Sequence, residues 1–293
     1  MDLAIANWRG FVAARQGWHR LTELLAMLPA QAAPMTLSPP SKSLVIESAS
    51  VVPPGGERIV VQDVSFALQG GNGLGIIGPS ASGKTSLARM LVGVWRPVRG
   101  RIRLDGAALD QWSPELLGKH IGYLPQDVEL LSGTVAQNIS RFADAPEPAT
   151  IIAAANAAGV HDLIVGLPNG YDTQVGEGGA ELSAGQAQRI ALARALYGDP
   201  FLVVLDEPNS NLDAEGDEAL SRAILGVRSR GGIAVVVAHR PSAIASVELL
   251  LVLNQGRVQT FGPKEEVISR LLPRDGSAPR PLKVVPDLEV AKS

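Results

Sequence analysis

The sequence has no cysteine and no marked excess of either charge. Its 293 residues include 26 lysine and arginine residues against 29 aspartate and glutamate residues, a net charge of -3. Without cysteine, disulfide bonds and thiolate metal sites are excluded, and a reducing compartment is compatible with the sequence. Without a broad positive field, nucleic acid is not expected as a partner.

Long hydrophobic runs are also absent. No stretch reaches the roughly 18 consecutive apolar residues that would span a bilayer, because Arg9 and Arg15 interrupt the most apolar part of the N-terminus. The first twenty residues also lack the basic start and the uninterrupted apolar stretch of a secretory signal. The sequence therefore predicts a chain that has no membrane span of its own and stays in the cytosol.

The composition is typical of a folded protein. Apolar residues make up 46% of the chain and charged residues 19%, so most of it is expected to pack rather than remain disordered. The length corresponds to about two domains at roughly 100 to 200 residues each, which excludes a small disulfide-stapled scaffold.

Residues 1–43 are predicted to form an appendage to the main domain. An apolar stripe recurs every three or four residues over positions 2–28 and predicts one amphipathic helix. Prolines then accumulate between residues 29 and 43, as in a semi-rigid, extended linker. The residues of the stripe are Phe11, Ala14, Trp18, Leu21, Leu25 and Leu28.

Residues 44–272 are predicted to form an α/β domain. Short β-branched runs at residues 59–61, 202–205 and 233–237 alternate with helical segments, which favours a buried, largely parallel sheet. The tail at residues 273–293 contains several prolines and mixed charges without periodicity, so we expect it to be disordered.

A glycine-bounded loop at residues 78–85 lies between a predicted strand at residues 74–77 and a predicted helix. Such a loop turns its backbone N–H groups around a polyphosphate at the positive end of the helix. Lys84 would reach the β and γ phosphates, and the Thr85 hydroxyl would ligate Mg²⁺. The alternative is a glycine-rich turn whose lysine faces solvent. The helix is indicated by the spacing of Leu87, Met90, Leu91 and Val94. The predicted ATP-binding residues of this segment are Gly78, Pro79, Ser80, Ala81, Ser82, Gly83, Lys84, Thr85 and Ser86.

Two adjacent carboxylates follow another apolar strand at residues 201–205. Asp206 is predicted to hold the Mg²⁺ shell. Glu207, one residue on, points differently and is predicted to polarise the attacking water, as hydrolysis of a phosphoanhydride requires. The alternative is an acidic exit from a strand before Pro208, which would have no chemical role.

A Ser-x-Gly turn opens a third helix and is a second anion-binding device. Its residues are Leu182, Ser183, Ala184, Gly185 and Gln186, and they resemble the LSGGQ signature of the nucleotide-binding domains of ATP-binding cassette (ABC) transporters. The other motifs follow in the order of that family: Gln126 after residues 123–125 as the Q-loop, residues 210–213 with Asp213 as the D-loop, and residues 238–240 with His239 as the H-loop. Taken singly, these three residues would be read as a loop amide, a helix cap and a strand-end histidine.

The resemblance implies a P-loop NTPase fold: a mainly parallel sheet, an antiparallel β subdomain and a helical subdomain at about residues 128–198. It also implies ATP hydrolysis with Mg²⁺, in which Glu207, His239 and Lys84 are catalytic. Thr85, Gln126 and Asp206 would hold the metal. Gln126 would also contact ATP, and Asp213 would communicate across a dimer. In the family, the signature segment at residues 182–186 contacts ATP bound by a second copy of the chain, so a homodimer is implied.

Three departures from the family pattern stand out. Ala81 and Ala184 occupy positions where the family usually has glycine, and a side chain there opposes a positive φ or a close approach of phosphate. Residues 50–54 contain no aromatic residue, although the family usually stacks one on adenine there. We expect altered nucleotide affinity rather than inactivity.

A narrower resemblance is to type I secretion exporters of the protease and lipase class. It is carried by residues 8–16, the proline-rich connection, residues 123–130 and residues 206–213, while residues 174–178 are similar to the exporter x-loop. The resemblance implies a transmembrane domain missing from this chain and a place on the cytoplasmic side of the inner membrane. It implies as further partners a membrane fusion protein and an outer-membrane channel, through the full exporter.

Three rival functions remain open from the sequence. One is the ATPase of a lipid, peptide or drug exporter. Another is a soluble ABC protein of translation or DNA repair, against which the charge and the N-terminal helix count. The third is a regulatory module that binds nucleotide without hydrolysing it, against which Lys84, Asp206, Glu207 and His239 count.

Overall fold

The computed structural model describes residues 8–27, 37–177, 182–238 and 241–271, and the chain divides into two compact units between residues 36 and 37. The first unit contains helix α1 (Trp8–Met27), within the helix predicted over residues 2–28, while residues 2–7, residue 28 and most of the predicted linker lie outside the described residues. Apolar side chains on α1 are exposed, among them Trp8, Phe11 and Trp18. Within the described ranges, no helix is both long and apolar enough to cross a membrane.

The second unit begins earlier than the boundary predicted near residue 43. The backbone N–H groups of Ser41, Lys42 and Ser43 donate to the Asp105 carboxylate at 2.8, 2.9 and 2.7 Å. Pro40 is buried. The segment at residues 37–43 is therefore part of the folded domain rather than of the linker.

A four-stranded antiparallel sheet forms the first layer, as the resemblance implied. Its strands pair in the order β2-β1-β4-β5, which are β1 (Ser43–Val51), β2 (Val61–Gln69), β4 (Arg99–Leu104) and β5 (Ala107–Ala108). The β-branched run at residues 59–61 enters strand β2 only at Val61, because Ile59 is exposed and precedes the strand.

A six-stranded sheet forms the second layer and is parallel except at one edge. Its order is β12-β11-β3-β10-β9-β6, and the β11/β12 pair is antiparallel. The central strand β10 is buried along its whole length, as expected for a strand covered on both faces. The strands are β3 (Gly73–Ile77), β6 (Ile121–Leu124), β9 (Leu202–Asp206), β10 (Ile233–Val237), β11 (Leu249–Asn254) and β12 (Arg257–Pro263).

Helix α2 (Lys84–Leu91) follows the glycine-bounded loop and packs between the two sheets. Leu87, Met90 and Leu91 are buried there, as their spacing predicted. Val94 was wrongly included in this helix, since it is exposed and lies beyond the C-cap Val92. Gly93 adopts φ +79 immediately after the cap, which ends the helix.

In its described part, the helical region predicted at about residues 128–198 contains four α-helices and a two-stranded antiparallel sheet. Helices α5 and α7 contribute Ile151, Ile190 and Leu196 to the hydrophobic core on the other face of the six-stranded sheet. The elements are β7 (Gly133–Thr134), α4 (Val135–Ile139), α5 (Pro148–Ala157), α6 (His161–Val165), β8 (Gln174–Val175) and α7 (Ala184–Leu196). Three more helices complete the domain: α3 (Pro114–His120), α8 (Ala214–Ser229) and α9 (Lys264–Leu271). The tail predicted at residues 273–293 lies outside the described residues.

Candidate functional site

The loop at residues 78–85 leaves the end of β3 and enters α2, as the sequence predicted. Gly78 adopts φ +156, and a Cβ there would lie 2.0 Å from the Leu253 carbonyl oxygen. Gly83 adopts φ +99, and a Cβ there would lie 2.8 Å from the Val60 carbonyl oxygen. Glycine is required at both positions, because the loop backbone passes against two neighbouring segments.

Ala81 keeps a left-handed backbone despite its side chain. Its φ is +60, a conformation that costs an alanine about 1 kcal/mol relative to glycine. The residue is exposed, so its methyl group does not enter the packed part of the loop. Ala184 differs, since it opens α7 without a positive φ, and the strain expected there does not arise.

Lys84 lies buried at the mouth of the loop. Its Nζ donates to the carbonyl oxygens of Gly78 and Pro79 at 3.0 and 2.9 Å. Burial lowers the pKa of the Lys84 ammonium, while the carboxylates of Glu207 and Asp206 act in the opposite direction. The side chain thus brings a positive charge to the loop, near two carboxylates.

Asp206 and Thr85 meet although 121 residues separate them. The Thr85 hydroxyl donates to Asp206 Oδ1 at 3.3 Å, while Asp206 Oδ2 is buried without a hydrogen-bond partner. Burial raises the pKa of Asp206 to about 6, and the neighbouring Glu207 carboxylate adds to the rise. A buried carboxylate oxygen without a partner, next to a hydroxyl, fits a Mg²⁺ ion.

These two residues do not form a complete cage for the ion. Among the described residues, no group of three or more His, Cys, Asp and Glu side chains is placed to hold a metal. Mg²⁺ is usually bound by one or two protein oxygens together with phosphate oxygens of a substrate. The donor set therefore fits Mg²⁺ that arrives with a nucleotide.

Glu207 follows β9 with a left-handed backbone, φ +50. Its N–H donates to the Val237 carbonyl oxygen at 3.0 Å, and its carboxylate accepts from Gln126 Nε2 at 3.2 Å. Gln126 follows β6, the parallel neighbour of β9, so the same edge of the sheet carries both residues. The Glu207 carboxylate therefore lies beside Gln126 at this edge of the sheet, close enough to Asp206 to raise its pKa.

The signature segment at residues 182–186 opens α7. Ser183 Oγ accepts from the Gln186 N–H at 3.2 Å, and Gln186 Oε1 accepts from the Ser183 N–H at 2.9 Å. This reciprocal cap fixes the N-terminus of α7, where unpaired N–H groups can face an anion. A Cβ on Gly185 would lie 2.8 Å from the Asn211 carbonyl oxygen, so this turn packs directly against the D-loop.

Sequence reasoning missed the residue that connects α7 to Glu207. The buried Gln188 donates from Nε2 to the Pro208 carbonyl oxygen and accepts from the Asn211 N–H at 3.2 Å. Asp213 caps α8 through the Gly216 N–H at 2.8 Å and also accepts from Arg189 at 2.6 Å. Gln188 lies two positions after the signature segment, and its polarity was a usable signal in the sequence. Only the fold shows which groups its side chain contacts.

The structure thus brings most of the predicted residues into one place. Lys84, Thr85, Gln126, Asp206 and Glu207 meet at the carboxyl ends of β3, β6 and β9, where ligands bind in open α/β sheets. The signature segment is connected to this cluster through residues 207–213. His239 and part of the x-loop segment at residues 174–178 lie outside the described residues, so their predicted roles remain predictions.

Several known proteins are similar to this chain. The profile described as "ABC transporter" matches residues 61–210. The chain is 61% identical over all 293 residues to the type I secretion system ATP-binding protein PrsD of Rhizobium meliloti, of which it covers 50%. It is 39% identical over 232 residues, 78% of this chain, to an ATP-dependent lipid A-core flippase of Pseudomonas fluorescens, of which it covers 38%.

A solved structure also matches. It is a bacterial Atm1-family ABC exporter with ATP bound, at a TM-score of 0.74 and 31% identity, and the match covers 89% of this chain and 47% of that one. The chain therefore spans about half the length, or less, of these relatives.

Proposed function

This chain belongs to the ABC transporter family, and from that premise we propose that it hydrolyses ATP to power type I protein secretion. The observation that carries the proposal is the convergence of Lys84, Thr85, Asp206 and Glu207 at one edge of the parallel sheet. Lys84 supplies a positive charge for the phosphates, Thr85 and Asp206 supply two oxygen ligands for a metal ion, and Glu207 supplies a carboxylate that can orient water.

The residues have separate tasks in hydrolysis. Lys84 and the backbone N–H groups of residues 80–85 would stabilise charge on the transferred phosphoryl group. Thr85 and Asp206 would hold Mg²⁺, with Gln126 near them, and Mg²⁺ neutralises charge on the phosphates when it is bound. Glu207 orients the attacking water, and Gln126 holds the Glu207 carboxylate. His239 would contact the γ-phosphate, as the family resemblance implies.

The working unit we propose is a homodimer that encloses two ATP molecules. Ser183 and Gly185 of one copy would close over the γ-phosphate bound by Lys84 of the other. The capped start of α7 supports this role, because the reciprocal cap orders the first turn at the positive end of the helix dipole, where an anion is favoured.

Type I secretion is favoured over the other exporter classes by the extent of the similarity. The 61% identity to the Rhizobium meliloti protein extends over the whole chain, including residues 1–43, whereas the match to the lipid A-core flippase covers 78% of it. The other half of the secretion protein's length would correspond to a transmembrane domain. The chain would then work on the cytoplasmic side of the inner membrane, with a membrane fusion protein and an outer-membrane channel as further partners.

Phosphate release from Mg-ATP by the purified chain tests the enzymatic part. Lys84→Ala should slow release by a hundredfold or more, because a lost preorganised charge costs on the order of 3 kcal/mol. Lys84→Arg keeps the positive charge but changes the shape of the side chain. It is therefore the matched control that separates the effect of losing the charge from the effect of changing the shape. Turnover in Lys84→Ala equal to that of the parent chain would contradict hydrolysis at this site.

A hybrid exporter tests the secretion part. The corresponding half of the Rhizobium meliloti protein would be replaced by this chain, in cells that lack the natural exporter, and protein in the medium would be measured. Secretion that depends on Lys84 supports the proposal. A hybrid that hydrolyses ATP in membranes without secreting protein would favour a lipid, peptide or drug exporter.

A further inference from the structure

Arg141 lies where the helical region joins the sheet, and all five of its guanidinium N–H groups have acceptors. The acceptors are five main-chain carbonyl groups rather than side chains: those of Gly118, Ile121, Arg194, Ala195 and Tyr197. Among the described residues, no carboxylate forms an ion pair with Arg141. Arginine has just five such donors in a fixed planar fork, so the site matches its full hydrogen-bonding capacity.

The five carbonyl groups belong to three elements. Gly118 lies in the last turn of α3, and Ile121 begins β6. Arg194, Ala195 and Tyr197 lie at the C-terminal end of α7, whose last carbonyl groups have no partner within the helix. A positive charge at that end is favoured by the helix dipole. Arg141 therefore joins the end of α7 to the start of the strand that leads to Gln126.

The same junction shows an unusually close approach of two backbones. A Cβ on Gly122, the second residue of β6, would lie 1.9 Å from the Ala195 carbonyl oxygen. Arg194 also donates to the Glu129 carbonyl oxygen at 3.1 Å, beyond the Q-loop. The end of α7 is therefore held against β6 by a backbone contact and by Arg141, and against the segment after the Q-loop by Arg194.

The backbone at Arg141 is strained, which separates the role of the side chain from that of the turn. Arg141 and Phe142 both adopt left-handed conformations, with φ +57 and φ +56. Glycine would adopt this conformation more easily than arginine. The turn alone therefore does not call for arginine at position 141, whereas the five carbonyl groups do.

We propose that Arg141 is a positioning residue that sets the direction of α7, so that the signature segment reaches ATP bound by a second copy of the chain. The inference rests on the proposed ATP-enclosing dimer. Ser183 and Gly185 lie at one end of α7, and Arg141 holds the other end. The five hydrogen bonds of Arg141 all go to main-chain carbonyl groups at this junction, so the proposed action is through the helix.

The length of α7 makes its direction important. The helix has 13 residues, which corresponds to about 20 Å. A tilt of about 5° at the Arg141 end would move the signature end by about 2 Å over that length. A displacement of about 1 Å in a catalytic arrangement is enough to lower a rate by about a hundredfold.

Arg141→Lys tests the proposal, because lysine keeps the charge but has three donors and no planar fork. We expect ATP binding to the single chain to stay within about twofold of the parent, since the phosphate loop is untouched. Dimerisation with Mg-ATP in a Glu207→Gln background should weaken tenfold or more, and kcat in an otherwise parental chain should fall about tenfold. KM should change little. Binding, sedimentation and phosphate release measure these quantities in the full chain.

Arg230→Lys is the matched control. Arg230 also donates to two main-chain carbonyl oxygens, those of Asp199 and Pro200, both at 2.8 Å, and forms an ion pair with Asp199 at 3.5 Å; these two partners lie beyond the end of α7. The Arg230→Lys chain should lose hydrogen bonds of the same kind without weakening the dimer. Arg141→Gly is the second variant, since it removes the fork while relieving the left-handed backbone, and it should fail to dimerise in the same way.

Three results would overturn the inference. One is an Arg141→Lys chain that dimerises and turns over like the parent. Another is a loss of ATP binding and thermal stability that parallels the loss of dimer, because that indicates a purely structural role. The third is equal weakening in Arg230→Lys. If the Glu207→Gln chain that keeps Arg141 binds ATP but stays monomeric, the dimer proposal fails independently of Arg141. In that case kcat is the deciding measurement, and an unchanged kcat in the Arg141→Lys chain overturns the positioning role of Arg141.

Discussion

The side-chain amide of Gln126 donates a 3.2 Å hydrogen bond to the carboxylate of Glu207, although 81 residues separate them. The two residues follow β6 and β9, which are neighbouring parallel strands. Gln126 also precedes the helical region, and Glu207 precedes the D-loop, which Gln188 fastens to α7. The group that would orient water is therefore in contact with Gln126 and lies directly before the D-loop, the segment that would communicate across a dimer.

The first prediction concerns the ATP-dependent dimer. Glu207→Gln keeps the size and hydrogen-bonding capacity of the side chain but removes its charge, so it should bind ATP and turn over very slowly. Because hydrolysis opens the dimer, the variant should sediment as a dimer with Mg-ATP and as a monomer with ADP. A second change, Ser183→Arg, should abolish the dimer. A variant that binds ATP but is monomeric with every nucleotide would contradict the model for the isolated chain.

The second prediction concerns the buried carboxyl of Asp206. Its folded-state pKa of about 6 lies above the ordinary value near 4, so its ionisation opposes folding. The penalty is fully present above pH 6 and disappears as the pH falls toward 4. Without metal and nucleotide, Asp206→Asn should raise the free energy of unfolding at pH 7.5 by roughly 2 kcal/mol, and by about a third of that amount at pH 4.5, which lies between the two pKa values. Urea denaturation in EDTA measures both values.

Asp213 provides the opposite case as a control. The hydrogen bond from the Gly216 N–H, with Arg189 also contributing, lowers the pKa of Asp213. Its ionised form is the favoured one in the folded protein, and this contribution is lost as the pH falls through the lowered pKa. Asp213→Asn should therefore destabilise the chain at pH 7.5. Destabilisation of the metal-free chain by Asp206→Asn at that pH would contradict the account of the buried carboxyl.

The third prediction concerns the nucleotide base. Residues 50–54 offer Val51, Val52, Pro53 and Pro54 where the family usually has an aromatic residue, and Val52 and Pro53 are half-buried. Stacking on an aromatic residue is worth roughly 1–3 kcal/mol per base, so its absence should bring the affinities for ATP and GTP closer together. Competition binding measures the ratio. Discrimination above about a hundredfold would contradict the prediction and require an aromatic residue from elsewhere.

The fourth prediction concerns the start of the catalytic domain. A chain of residues 37–293 should keep the ATP affinity and thermal stability of the full chain. A chain of residues 44–293 lacks the N–H groups that bind the Asp105 carboxylate and should lose about 1–2 kcal/mol at neutral pH. Equal stability of the two chains would show that the folded domain starts near residue 43, as the sequence predicted. Unfolding of the 37–293 chain would show that α1 belongs to the core.

The sequence by itself determined the chemistry of the phosphate loop and the pair Asp206 and Glu207. Each of these features is contiguous in the chain, and each follows from local rules: glycines where the backbone must turn, a helix after the loop, and carboxylates at the end of an apolar strand. The alternation of strands and helices likewise indicated a parallel sheet. The end of α2 was predicted too late, although Gly93 was a local signal for it.

Only the tertiary structure decided which distant residues meet. The contacts of Gln126 with Glu207 and of Thr85 with Asp206 depend on the order and register of strands that are far apart in sequence. The Arg141 site depends on backbone carbonyl groups of three elements, and backbone groups carry no sequence signal at all. Local pattern specifies which groups are present, whereas long-range packing sets their distances, and the chemistry of this site needs both.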